Sequence, residues 1–193
     1  MADRYEHHLI LTVDAPGLPA ADALLAHRFP SASGDVFACT PDEAARATLH
    51  RFVTAGAAVR YAAVHARRTA GLVALDVALP RNATDWFGAL PAGSDRKVAA
   101  VLRYGHFLCH VFHRDYVVAR GTDADALKAE LLSALDAEDA RYPAEHNVGR
   151  QYRAPPDLAA FYRDLDPTNR FNPGIGRTPA GPDWTDVQET SHD

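Results

Sequence analysis

Six of the thirteen prolines fall in residues 155–193, and this tail shows little apolar periodicity. A segment of that kind cannot bury enough apolar surface to build a core of its own. The core must therefore lie upstream of Arg141, and the tail must be either a disordered extension or an arm that packs on something else. The division predicted is residues 1–140 for the core-bearing portion and 141–193 for the arm. One helix is expected within the arm, Pro155 to Leu165, opened by two prolines. Asn172-Pro-Gly-Ile-Gly176 reads as tight turns around glycines at positive φ.

Upstream, Leu127, Leu131, Leu132 and Leu135 stand at helical spacing in a segment from Thr122 to Ala140. Leu72 to Leu79 is an aliphatic and β-branched run closed by Pro80, which reads as a strand. Val98 to Val118 holds two extended stretches around Tyr104-Gly105-His106. Tyr5 to Val13 and Asp35 to Thr40 also read as strands. A short amphipathic helix is expected over Leu18 to Phe29. Thr40, with Pro41 at the first helical position and acids after it, starts another that runs to about Thr54. Asn82 is expected to cap a short helix through Leu90. Trp86, Phe87, Phe161 and Tyr162 sit at helical spacing and are expected to serve packing.

Short loops and half-polar strands favour an α+β class over a doubly wound parallel sheet. The expected architecture is an antiparallel sheet with helices on one face, a ferredoxin-like cap, plus an irregular C-terminal arm.

Charge narrows the partners. Net charge is −5 and the sequence pI is about 6.0, which leaves no basic footprint for nucleic acid. Arg67 and Arg68 form only a pair and read as a solvated loop. Cys39 and Cys109 suggest no disulfide framework, and free buried thiols in a reducing compartment are expected. Residues 1–8 lack the apolar stretch of a signal peptide, and no apolar run approaches the ~20 residues that cross a bilayer. A cytoplasmic or peripheral protein is the expectation.

The longest motifs lie around the arm. Arg141-Tyr-Pro-Ala-Glu-His-Asn-Val-Gly149 and Asp166-Pro-Thr-Asn-Arg-Phe-Asn-Pro-Gly-Ile-Gly176 resemble the end of the quinone-linked D-lactate dehydrogenases, flavoproteins of the vanillyl-alcohol-oxidase type. The resemblance continues through Tyr5-Glu-His-His8, Thr48-Leu-His-Arg-Phe52, Gly56-Ala-Ala-Val-Arg-Tyr61 and Tyr104-Gly-His-Phe-Leu-Cys-His-Val-Phe-His113. It implies oxidation of D-lactate to pyruvate, with FAD as hydride acceptor and membrane quinone as electron acceptor. It implies a peripheral site on the cytoplasmic side of the inner membrane. It also implies that residues 1–140 are a substrate-cap and membrane-binding portion, and that the flavin is held mainly by an FAD-binding domain of which this sequence shows no counterpart. A stand-alone, non-catalytic module that binds a hydroxy acid or a metal is the alternative.

Oxidising a 2-hydroxy acid needs a base for the hydroxyl proton and a cation for the carboxylate. Glu145-His146 supplies an acid-base pair, with His146 as the base and Glu145 orienting it or binding a metal. The other reading of Glu145-His146 is a surface pair. In related 2-hydroxy-acid dehydrogenases two histidines seven apart and the Glu of a later Glu-His hold a divalent metal. His106, His113 and Glu145 fall on those positions. On a regular strand, residues seven apart face opposite ways, so a turn or bulge would be needed to join His106 to His113. His106 and His110, four apart, would share a face, and ordinary strand histidines are the other reading. Arg51 resembles an arginine that grips the substrate carboxylate, a task suited to a two-pronged guanidinium. A helix-surface arginine is the alternative there, with Arg60 and Arg81 as weaker candidates for the carboxylate. By resemblance, Asn172 belongs to the part of the arm that returns toward the flavin.

Overall fold

The computed structural model describes residues 4–29, 34–144 and 153–186. They fall into two units, residues 1–57 and 58–193. The first unit is helical. It contains α1 (Leu18–Arg28), α2 (Pro41–Thr48) and the start of α3 (His50–Val64). Thr40 begins α2 with a capping box: the Glu43 amide donates to Thr40 Oγ1, and the Thr40 amide donates to Glu43 Oε2 at 2.9 Å. The Glu43 carboxyl is held below the ordinary glutamate range by the Thr40 amide. Only Leu49 separates α2 from α3, and α3 runs well past Thr54 with Gly56 inside it. A mid-helix glycine costs about 1 kcal/mol against alanine, too little to stop a fifteen-residue helix.

The strands expected at Tyr5–Val13 and Asp35–Thr40 do not form. Strand propensity is realised only through pairing, and neither run has a strand partner among the described residues.

The second unit is built on a sheet of β1 (Thr69–Ala78), β2 (Val98–His106) and β3 (Val111–Ala119). The order is β1-β3-β2 and every pairing is antiparallel. The central strand, β3, is buried from Arg114 through Val118 on both faces. Side chains alternate across the pleat. On one face Val73, Leu75 and Val77 of β1 meet Tyr116 and Val118 of β3. Leu127, Leu131 and Leu135 of α4 (Ala124–Ala137) close that core at helical spacing. Asp123 caps α4, accepting from the amides of Asp125 (2.9 Å) and Ala126 (3.2 Å).

Residues 79–97 cross between the two outer strands, and Ala83, Trp86 and Leu90 pack on the same core. The helix expected from Asn82 is absent. Asp85 Oδ1 takes the amides of Phe87 and Gly88, which competes with helical bonding. Gly88 sits at φ 60°, and a Cβ there would lie 2.5 Å from the Arg114 guanidinium. Phe87 and Phe161 are exposed, outside the apolar core.

After α4 the chain returns to the free edge of β1. The amide of Ala78 donates to Arg141 O (2.8 Å), the amide of Arg141 donates to Ala78 O (2.9 Å), and the amide of Ala144 donates to Asp76 O (3.0 Å). This short stub makes the order stub-β1-β3-β2, with α4 and the 79–97 crossover on one face. The α+β expectation, an antiparallel sheet covered on one side, is what the structure has.

The arm contains α5 (Pro156–Leu165). Hydrogen bonds rather than apolar packing knit the turns that follow it. Asn169 Nδ2 donates to the carbonyls of Pro179 (2.8 Å) and Gly181 (2.9 Å), and Trp184 Nε1 donates to Asp166 O (2.9 Å). Cys39 and Cys109 are free, but both are exposed rather than buried.

Candidate functional site

The sheet face opposite the α4 core carries a cluster of acids, histidines and a tyrosine. Registers Asp76↔His113, Tyr104↔His113 and Leu102↔Asp115 place Asp76, His113, Asp115, Tyr104 and His106 on that one face. His113 Nδ1 lies in hydrogen-bond contact with Asp76 Oδ1 at 2.5 Å. Tyr104 stacks on the His113 ring, with centroids 4.9 Å apart and planes 24° apart, and its hydroxyl donates to Asp115 Oδ2 at 3.1 Å. Asp115 is buried, and burial raises its carboxyl above the ordinary range. Asp76 pushes it the same way, while Tyr104 and His113 oppose. Burial first, and Asp115 second, hold the Tyr104 proton far above the ordinary phenol range.

His106 and His113 do share this face, because the chain turns between them. β2 runs through to His106, the residues Phe107–Cys109 make a 3-10 turn, and His110 closes it at φ 55°. His106 and His113 become diagonal cross-strand neighbours with ring centroids 6.2 Å apart. The turn therefore lies at Phe107–His110, beyond the expected Tyr104-Gly105-His106. Gly105 is needed inside the strand instead, since a Cβ would lie 2.4 Å from Val111 O. His110 does not join His106: it sits in the turn, and its Nδ1 donates to Pro80 O at 3.2 Å.

Glu145 and His146 lie outside the described residues. The residue before them, Ala144, is fastened to Asp76, the residue that also holds His113. Among the described residues no group of three His, Cys, Asp or Glu side chains is arranged to hold a metal. The two imidazoles suit two ligand positions, and the third candidate is Glu145. Arg51 is exposed on α3 in the first unit, and its side chain makes no hydrogen bond to the described residues. Asn172 is exposed in the arm, where its carbonyl accepts from the Ile175 amide at 3.1 Å.

Sequence reasoning singled out His106 and His113 but missed Asp76, Tyr104 and Asp115. The available signal was a lone acid in the aliphatic run Leu75-Asp76-Val77, and the alternation of His113-Arg-Asp-Tyr116 between two faces.

A helix start with free amides is one ready site for a dinucleotide's pyrophosphate. Asp123 already takes the first amides of α4, and Thr40 caps α2. The start of α5 carries two prolines, and α1 carries prolines around an amide bonded to Asp14.

Residues 1–184 match the family described as D-lactate dehydrogenase, membrane binding. The chain belongs to that family. It is 50% identical over 186 residues to the quinone-dependent D-lactate dehydrogenase of Escherichia coli strain K12, covering 96% of this chain and 33% of that protein. The enzyme of the same description from Haemophilus influenzae is 48% identical over 185 residues, covering 95% and 33%. That from Corynebacterium glutamicum is 44% identical over 184 residues, covering 94% and 32%. The chain thus spans about a third of the length of the curated relatives it matches. Among the described residues, no helix of this membrane-binding family member is long and apolar enough to cross a membrane.

Proposed function

We propose that this chain supplies the substrate-cap and membrane-facing portion, and the C-terminal arm, of a quinone-dependent D-lactate dehydrogenase. The reaction is oxidation of D-lactate to pyruvate. FAD, carried by the rest of the enzyme, accepts the hydride, and membrane quinone accepts the electrons. The enzyme sits peripherally on the cytoplasmic side of the inner membrane. Residues 141–193 form the arm that returns to the FAD-binding domain, with Asn172 near the flavin.

The observation that carries this reading is the attachment of Ala144 to Asp76, which brings the strand leading into Glu145-His146 to the residue that holds His113. His146 takes the proton from the lactate hydroxyl. Arg51 receives the carboxylate through paired hydrogen bonds. His106, His113 and Glu145 would hold a divalent metal, whose chemistry is to grip and polarise the oxygens of the hydroxy acid.

The test is an anaerobic titration of the complete, flavin-loaded enzyme with D-lactate. Bleaching of the flavin with one pyruvate formed per flavin supports the reading. A flavin that D-lactate leaves oxidised contradicts it.

A further inference from the structure

We infer that Asp76 is a positioning residue, which fixes His113 as the Nδ1–H tautomer and so presents its Nε2 lone pair on the polar face of the sheet. The inference rests on the reading above, in which this face handles the hydroxy acid.

Asp76 and His113 are a direct cross-strand pair, and their side chains leave the same face. An ionised carboxylate can only accept, so the ring nitrogen 2.5 Å from Asp76 Oδ1 must donate. A neutral imidazole has one N–H, and spending it at Nδ1 leaves the lone pair at Nε2. The ring is also held in plane. Tyr104 stacks on it from the opposite neighbouring strand, and Asp115 anchors the Tyr104 hydroxyl. His113 is therefore clamped from β1 by a charge and from β2 by an aromatic face.

The rest of the ring is not spent on structure. The His113 side chain is only 15% exposed, yet Nε2 has no hydrogen-bond partner among the described residues. Nε2 is not among the buried polar atoms that lack a partner, so it stays open to solvent or to a ligand. A carboxylate behind one nitrogen with the other left open is the arrangement by which proteins orient a histidine that ligates or accepts a proton. Asp76 also accepts the Ala144 amide through its carbonyl, so one residue sets both the ring and the approach of the chain toward Glu145-His146.

The test uses the complete enzyme with ¹⁵N-labelled histidine, whose nitrogen shifts distinguish the two neutral tautomers from the imidazolium. His113 is assigned by comparison with His113→Gln. The wild-type ring is expected as Nδ1–H, and Asp76→Ala is expected to shift it toward Nε2–H. Flavin reduction by D-lactate should slow on the order of 10- to 100-fold in Asp76→Ala, the usual cost of losing such a partner. A wild-type ring found as Nε2–H overturns the inference without any variant. So does an unchanged tautomer, or an unchanged reduction rate, in a folded Asp76→Ala enzyme. If D-lactate fails to reduce even the wild-type flavin, the functional reading falls, and the tautomer measurement alone then judges Asp76.

Discussion

The amide of Ala144 donates to the carbonyl of Asp76 across 3.0 Å. That bond ties the short stub after α4 to the edge of β1, next to the strand pair that carries Asp76 and His113. Strand edges offer unpaired amides and carbonyls, and here the edge of β1 pairs with the stub through Ala78, Arg141, Asp76 and Ala144. The last described residue before Glu145-His146 is thus held at the edge of β1.

Replacing His146 with alanine in the complete enzyme should abolish flavin reduction by D-lactate while leaving the melting midpoint within a degree or two of wild type. Loss of a general base costs roughly 10²- to 10⁴-fold in rate. Rapid mixing with D-lactate measures it. Near-normal reduction would place the base elsewhere.

Arg51→Ala should act on binding. The lactate concentration for half-maximal reduction should rise by about tenfold or more, as expected for loss of a charged hydrogen-bond pair, with a smaller effect on the limiting rate. Arg51 is exposed on α3, so the fold should not suffer. An unchanged dependence on lactate removes Arg51 from the site.

Gly88→Ala should weaken the fold. The new Cβ meets the buried Arg114 guanidinium at 2.5 Å, and the backbone there is at φ 60°. A left-handed non-glycine residue costs about 1–3 kcal/mol before the clash is counted. The urea midpoint should fall accordingly, whereas a midpoint equal to wild type would show that the 85–88 turn can re-form around a side chain.

Asp115 makes stability depend on pH in a defined direction. Burial raises its carboxyl, so the folded state binds the proton more tightly than the unfolded chain. Its contribution is then most favourable below the unfolded value of ~3.9, and is lost as pH rises through the higher folded value. Asp115→Asn should therefore be at least as stable as wild type at neutral pH, and the difference should shrink in acid. Melting curves across pH read this directly. A variant that is less stable at neutral pH and equal in acid would mean the charge is a net stabiliser.

Parts of this were legible from the residues alone because they depend on local spacing. Leu127, Leu131 and Leu135 mark α4, and Thr40-Pro41 marks the start of α2, without any knowledge of partners. Strands were harder. Tyr5–Val13 and Leu72–Leu79 look alike as apolar runs, yet only the second has a neighbour to pair with among the described residues. The expected helix after Asn82 failed for a reason written in side chains, since Asp85 captures the amides a helix would use. The two histidines were visible, but their meeting required a turn at Phe107–His110 that strand alternation alone argues against. Asp76 was invisible as a site residue because its role comes from register with His113, thirty-seven positions away.

The most direct test of the account is His113→Gln in the complete, flavin-loaded enzyme, mixed anaerobically with D-lactate. The account predicts that flavin content and melting midpoint stay close to wild type while flavin reduction is lost by two orders of magnitude or about that. Reduction at the wild-type rate would contradict it, and would leave the Asp76–His113 pair as a feature of the sheet alone.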